Sequence, residues 1–175
     1  MRAATVAIRE IDPERLVIAD GIEVGKTPAP ELADLGVAQS CRGYQPAGVS
    51  HYRAGWVAGS ETWPPPTWPQ PASHPGGPWD RAALEAHYAP WAELALRGIG
   101  VHCGEAGAYR HTPHAVVLRW LGDVLDILTA HGIGYALWNF RGQFGILDSE
   151  REDVDYEDWH GHTLDREMLA LLQRS

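Results

Sequence analysis

Apolar positions along this chain alternate between short unbroken runs and longer stretches at helical spacing. Arg15 to Asp20 (RLVIAD) is a run ending in a carboxylate, which predicts a buried parallel strand. Val37 to Arg42 (VAQSCR), Gly100 to Cys103 and Gly134 to Phe140 (GYALWNF) predict three more. Helical spacing marks the segments between them. Ala3 to Ile11 reads as an amphipathic helix stopped by Asp12-Pro13, and Pro28 to Leu35 as a short helical stretch. Arg81 to Gly98 places Leu84, Tyr88, Trp91, Leu94 and Ala95 on one stripe, with Asp80 as N-cap. Thr112-Pro113 supplies a cap and a first-turn proline for a helix to about Ala130, apolar at Val116, Trp120, Val124, Leu125 and Leu128. Asp165 to Leu172 closes the pattern, and the acidic run Asp148 to Asp158 reads as a solvated loop.

Four strand–helix units in succession predict an α/β fold with a parallel sheet and right-handed crossovers. They amount to half of a (β/α)8 (TIM) barrel, which takes roughly 200 residues or more when complete. Half a barrel leaves two sheet edges and one side of the core uncovered, a drive to self-association. A two-fold homodimer closing an eight-stranded barrel is the expected assembly. The segment from about Gly55 to Asp80 breaks the alternation, with seven prolines between Pro64 and Pro78 interleaved with Trp63, Trp68 and Trp79. Proline at this density excludes helix and interior strand, and the tryptophans predict an ordered binding loop.

Composition narrows the partners. A formal charge of −9 argues against nucleic acid and anionic membrane, whose phosphates it would repel, and leaves neutral ligands such as sugars open. Eight Trp against two Phe favours flat apolar faces with an N–H donor, which suit pyranose rings. Cys41 and Cys103 fit buried thiols in a reducing compartment. No charged segment followed by an apolar core is seen from Met1 to Arg9, so a cytoplasmic location is expected. His160-Gly161-His162 matches no zinc spacing, and neither a metal nor a cofactor is expected. His111 and His114 read as surface or cap residues.

Catalytic groups of such barrels stand at the C-terminal ends of strands. Those positions hold Asp20 with Glu23, Arg42 with Tyr44, Glu105, and Trp138 with Asn139. Glu105 directly follows an apolar strand between Gly104 and Gly107, which let backbone and ligand approach closely. A carboxylate there serves as nucleophile or base, or as the structural partner of a nearby arginine.

These segments resemble glycoside hydrolase family 5, the cellulase-type retaining enzymes, along essentially the whole chain. VHCGEAGAY is similar to the family's seventh-strand motif, which implies that Glu105 is the nucleophile. ALWNFRGQFGILDS resembles the eighth strand, implying that Trp138 is a sugar platform, with Asn139 beside it. SCRGYQPAGVSH resembles the sixth strand, implying that Tyr44 hydrogen-bonds the nucleophile and that His51 contacts substrate. Arg42 stands where many members have His, and a cation there favours an ionised carboxylate. The family's acid/base Glu lies in an Asn-Glu-Pro motif, and none occurs in this sequence; the chain is expected to begin just after it. Asp20, Glu23 and Glu61 are the candidate substitutes, and Trp63 and Trp68 extend the binding surface. The resemblance implies a β-glucosidase or cellulase activity on β-glucosides or short β-glucans. Two alternatives stand beside it: an inactive carbohydrate-binding remnant, and one half of a two-chain glycosidase whose partner supplies the acid/base.

Overall fold

The computed structural model describes residues 1–174. Its elements run α1 (Arg2–Ile11), β1 (Ile18–Asp20), α2 (Ile22–Gly25), β2 (Ala38–Gly43), α3 (Ala47–Ser50), α4 (Arg81–Leu96), β3 (Val101–Ala106), α5 (His114–Ala130), β4 (Gly134–Leu137), β5 (Glu157–Trp159), β6 (His162–Leu164) and α6 (Arg166–Leu172). Short 3-10 turns occupy Pro30–Leu35 and Ser60–Thr62. Strands β1 to β4 form one sheet in sequence order, every neighbouring pair parallel. Each crossover carries helical structure, so the sheet is four βα units laid side by side, the architecture of half a (β/α)8 barrel.

One face of the sheet is covered. Leu84, Tyr88 and Trp91 of α4, Val117, Trp120, Leu121, Val124 and Leu125 of α5, and Met168 of α6 are fully buried in a cluster that includes Cys41 and Cys103. Each such aliphatic or aromatic side chain contributes about 1.5–3 kcal/mol by leaving water. The two thiols are register partners on β2 and β3, free and buried, and their mutual hydrogen bond with burial pushes the Cys103 thiol up. The opposite face is open. Ile18 and Asp20 are exposed on either side of buried Ala19, and Ile11, Leu16, Ile22 and Val24 add exposed apolar surface near that edge. Among the described residues no helix is long and apolar enough to cross a membrane.

Two readings of the C-terminal third need correction. Thr112 does not cap α5; its hydroxyl donates to the Val49 carbonyl at 2.6 Å, and the Asp153 carboxylate takes the His114 N–H at 2.7 Å. His114 is buried, its Nε2 lying 2.8 Å from the carboxylate of fully buried Asp165, which caps α6 through the Met168 N–H. Nor is 148–158 simply solvated. Ser149 and Arg151 are buried, and Glu157–Trp159 pairs with His162–Leu164 as an antiparallel hairpin turning at His160-Gly161. Both turn residues have positive φ, 53° and 81°, as a tight hairpin turn requires.

Candidate active site

Parallel register brings the strand ends into line. Arg42 of β2 stands opposite Glu105 of β3, where the pairing shifts by one residue after Cys41. The Arg42 guanidinium contacts Glu105 Oε1 and also donates to Asp20 Oδ2 at 2.5 Å. Tyr44, the residue immediately after β2, donates its hydroxyl to Glu105 Oε2 at 3.1 Å. Both carboxylate oxygens therefore have a partner, and Asp20, Arg42, Glu105 and Tyr44 form one connected row. Burial pushes the Tyr44 phenol up to about 12, against a smaller opposing pull from Arg42, so it remains a donor through neutral and mildly alkaline pH. The glycines flanking Glu105 work differently. A side chain at Gly104 would meet Ser40 Oγ at 2.8 Å, whereas Gly107 turns the chain at φ 132°, a conformation L side chains rarely adopt.

Glu105, Tyr44 and His51 line two cavities that meet at this point. The smaller, about 440 Å³, is closed by Trp56, Trp138, Asn139, Gln143 and Phe144. Trp138 extends β4 by donating its backbone N–H to Ala106 O at 2.9 Å, and the residue stays 54% exposed. Asn139 Oδ1 is buried with no hydrogen-bond partner among the described residues, an acceptor left over for a ligand hydroxyl. His51 packs edge-on to Tyr44, Trp56 and Phe144 and shares a hydrogen bond with Ser50 Oγ at 2.7 Å; burial lowers its pKa, favouring the neutral ring. Behind the cavity, Asp148 accepts from Arg141 Nε, the Thr163 backbone N–H and the Thr163 hydroxyl, and pairs with His162 Nδ1. This ties the loop carrying Trp138 and Asn139 to the β5–β6 hairpin.

The larger cavity, about 730 Å³, lies on the other side of Glu105 and has mostly apolar walls: Val24, Pro46, Ala47, Trp63, Pro75 and Trp79, with Lys26 among them. The Pro/Trp segment supplies part of that wall as an ordered loop. Buried Gln70 donates to the carbonyls of Pro75 and Gly77, and its backbone pairs both ways with Trp79.

Of the residues singled out from sequence, Glu105, Tyr44, Arg42, His51, Trp138, Asn139 and Trp63 come together here. Trp68 does not. It is buried and donates Nε1–H to Asp123 at 2.8 Å, anchoring the loop to α5. Glu23 and Glu61 are exposed and line neither cavity; Asp20 is engaged by Arg42. Lys26, Trp56, Gln143 and Phe144 were not legible as site residues, and Trp79 only as a member of the Pro/Trp loop. Lys26 and Trp79 lie outside the strand-end motifs, and Trp56 belongs to a loop whose path no local pattern specifies.

No protein-family model and no curated protein matches the chain. Solved structures do. A glycoside hydrolase superimposes on 98% of this chain with a TM-score of 0.92 at 41% identity, over 52% of its own length. Cel5A of Thermotoga maritima, in complex with mannotriose, matches 97% of this chain and 51% of its own at a TM-score of 0.72 and 25% identity. The cellulose synthase subunit Z of Clostridioides difficile matches 97% and 53% at a TM-score of 0.73 and 18% identity, a likeness of fold alone. The chain spans about half the length of each, and its fold is half of a glycosidase-type (β/α)8 barrel.

Proposed function

We propose that this chain carries the nucleophile-bearing half of a retaining β-glycosidase of the glycoside hydrolase family 5 type, acting on β-glucosides or short β-glucans. One observation carries the reading: Glu105 stands at the wall shared by two cavities, with one oxygen on Tyr44 and the other on Arg42. A carboxylate held this way is oriented before substrate arrives and presents to both sides of a bond lying across it. Trp138 offers an exposed aromatic face for a pyranose on one side, and Asn139 an unused acceptor for its hydroxyls.

Retaining hydrolysis uses a second carboxyl group about 5 Å from the nucleophile to protonate the leaving group. Among the described residues lining the two cavities, Glu105 is the only carboxyl group. Self-association is the proposed remedy. Among the described residues, strands β1 and β4 each have one unpaired edge, and the exposed apolar residues Ile11, Leu16, Ile18, Ile22 and Val24 stand beside the first. A second copy placed two-fold covers both edges and brings its own strand ends to the open side.

Light scattering across a sizing column, with aryl β-glucoside hydrolysis assayed on the same peak, tests both parts. A dimeric peak whose activity Glu105→Gln abolishes is the expected result. An inactive monomer that still binds sugar would replace it with the carbohydrate-binding remnant, which the lone carboxyl favours. Activity appearing only when a separately expressed N-terminal half is added would make this one chain of a two-chain enzyme.

A further inference from the structure

The sequence contains a single lysine, Lys26, and it lines the larger cavity beside Glu105. Among the described residues its ammonium makes no ion pair or side-chain hydrogen bond, while its backbone carbonyl accepts from Trp91 Nε1 and holds the segment in place. The charged and titratable neighbours are few. Glu105 and Asp20 are both taken by Arg42, and Tyr44 is a neutral donor to Glu105. His87 packs edge-on against Trp79, and burial, with Lys26 adding to it, lowers its pKa. Lys26 is thus a cation without an ion-pair partner among the described residues, beside an apolar wall of Trp63, Trp79, Pro46, Pro75, Val24 and Ala47. Arg42, Tyr44, Gln45, His51 and Glu105 complete the lining, with Arg42 engaged by Glu105 and Asp20 and His51 lowered in pKa by burial.

From this arrangement we infer that the larger cavity is a leaving-group site for aromatic aglycones that depart as oxyanions, with Lys26 stabilising the developing phenolate. The inference rests on Glu105 acting as nucleophile. Flat apolar walls with two indoles suit a planar ring, and the ammonium suits charge on its oxygen. In the first step Glu105 attacks the anomeric carbon, the carbon–oxygen bond to the aglycone breaks, and the electron pair leaves on the phenolate oxygen with no proton transferred. Attack turns the Glu105 carboxylate into a neutral ester, so the positive charges of Lys26 and Arg42 are then opposed by Asp20 alone. One net positive charge appears as the phenolate forms. Water then attacks the glycosyl ester, Glu105 leaves as carboxylate, and the proton released goes to solvent, from which the phenolate is reprotonated. Such a site lets the aglycone depart without a second carboxyl group, and none besides Glu105 lines this cavity among the described residues.

Binding of 4-nitrophenol, followed by its absorbance at pH values on either side of its own ionisation, reads the site without turnover. The wild type is expected to hold the phenolate more tightly than the phenol, by on the order of five-fold, as an exposed charge pair allows. Lys26→Met should abolish that preference and Lys26→Arg keep it. Across a series of aryl β-glucosides, Lys26→Met should also lower kcat/KM most for the poorest leaving groups. Equal binding of phenol and phenolate, or a preference that survives Lys26→Met, would overturn the site. If the preference is lost in Lys26→Met but hydrolysis survives Glu105→Gln, the nucleophile assignment falls and the anion site stands. If Glu105→Gln abolishes hydrolysis while Lys26→Met leaves both the preference and the leaving-group dependence unchanged, the reverse holds.

Discussion

Replacing Tyr44 by Phe removes one oxygen and little else. The ring keeps its edge-on contacts with His51, at 5.1 Å between centroids, and Phe144, at 6.2 Å. What is lost is the hydroxyl's bond to Glu105 Oε2. Bonds to charged groups contribute about 1.5–3 kcal/mol, and at 3.1 Å this one is long for its kind, which places the loss near about 1–2 kcal/mol. If Glu105 is the nucleophile, the same bond orients it, and kcat/KM for an aryl glucoside should fall by about 5- to 30-fold. Stability carries a second signature. The folded Tyr44 pKa is raised to about 12 from an ordinary value near 10. Below pH 10 both folded and unfolded chains keep the proton, and the full contribution is present. As pH rises from 10 towards 12 the unfolded phenol ionises first, so the contribution is lost in that window. Urea unfolding followed by Trp fluorescence should show wild type ahead of Tyr44→Phe by a constant margin from pH 7 to 9.5, and a shrinking one above 10. Equal stability at pH 8, or a margin that grows above pH 10, would refute the placement of this hydroxyl.

Three further substitutions probe the frame. Arg151 is 2% exposed and donates to the carbonyls of Ala108, Tyr109 and Thr112, so Arg151→Met should cost about 3 kcal/mol by urea unfolding; a cost below about 1 kcal/mol would mean those carbonyls find other donors. Trp120→Phe deletes a fully buried indole edge and its 2.8 Å bond to the Gln45 carbonyl, for about 2–3 kcal/mol in the same assay, and an unchanged midpoint would contradict it. Asp148 is held well below the usual carboxylate range by the Thr163 N–H and His162. The stability difference between wild type and Asp148→Asn should therefore be level from about pH 5 to 8 and diminish as pH falls below about 4, whereas a difference that widens in acid would reverse the assignment.

Strand positions were readable because parallel strands buried against helices leave short apolar runs: β1 to β4 fall within or overlap all four predicted segments. Their ends were less so. The predicted third strand stops at Cys103, whereas β3 continues through Glu105 to Ala106, because pairing with Arg42 across a register shift is not a local property. Thr112 looked like a cap by residue type, but its hydroxyl was claimed by Val49, 63 positions away. The β5–β6 hairpin was hidden by acidic residues that alternate too weakly to signal strand; its turn at His160-Gly161 was the available sign. Among the candidate site residues, Glu105 lies near the end of β3, and Tyr44 and Trp138 directly follow β2 and β4, positions that a motif can single out. Trp56, Phe144 and Lys26 reach the same place only through loop paths, and Trp68 looked like a binding residue until the fold turned it towards Asp123.

The proline-rich loop bears on the thermodynamics of capture. Its seven prolines limit backbone freedom in the unfolded chain as well as the folded one, Gln70 ties the loop to itself through the Pro75 and Gly77 carbonyls, and Trp68 fixes it to the body at Asp123. Trp63 and Trp79 therefore face the cavity on a wall that needs no ordering when a ligand arrives. Calorimetry of ligand binding should then show a negative heat-capacity change from apolar burial, without the large entropic penalty of a loop that folds onto its guest.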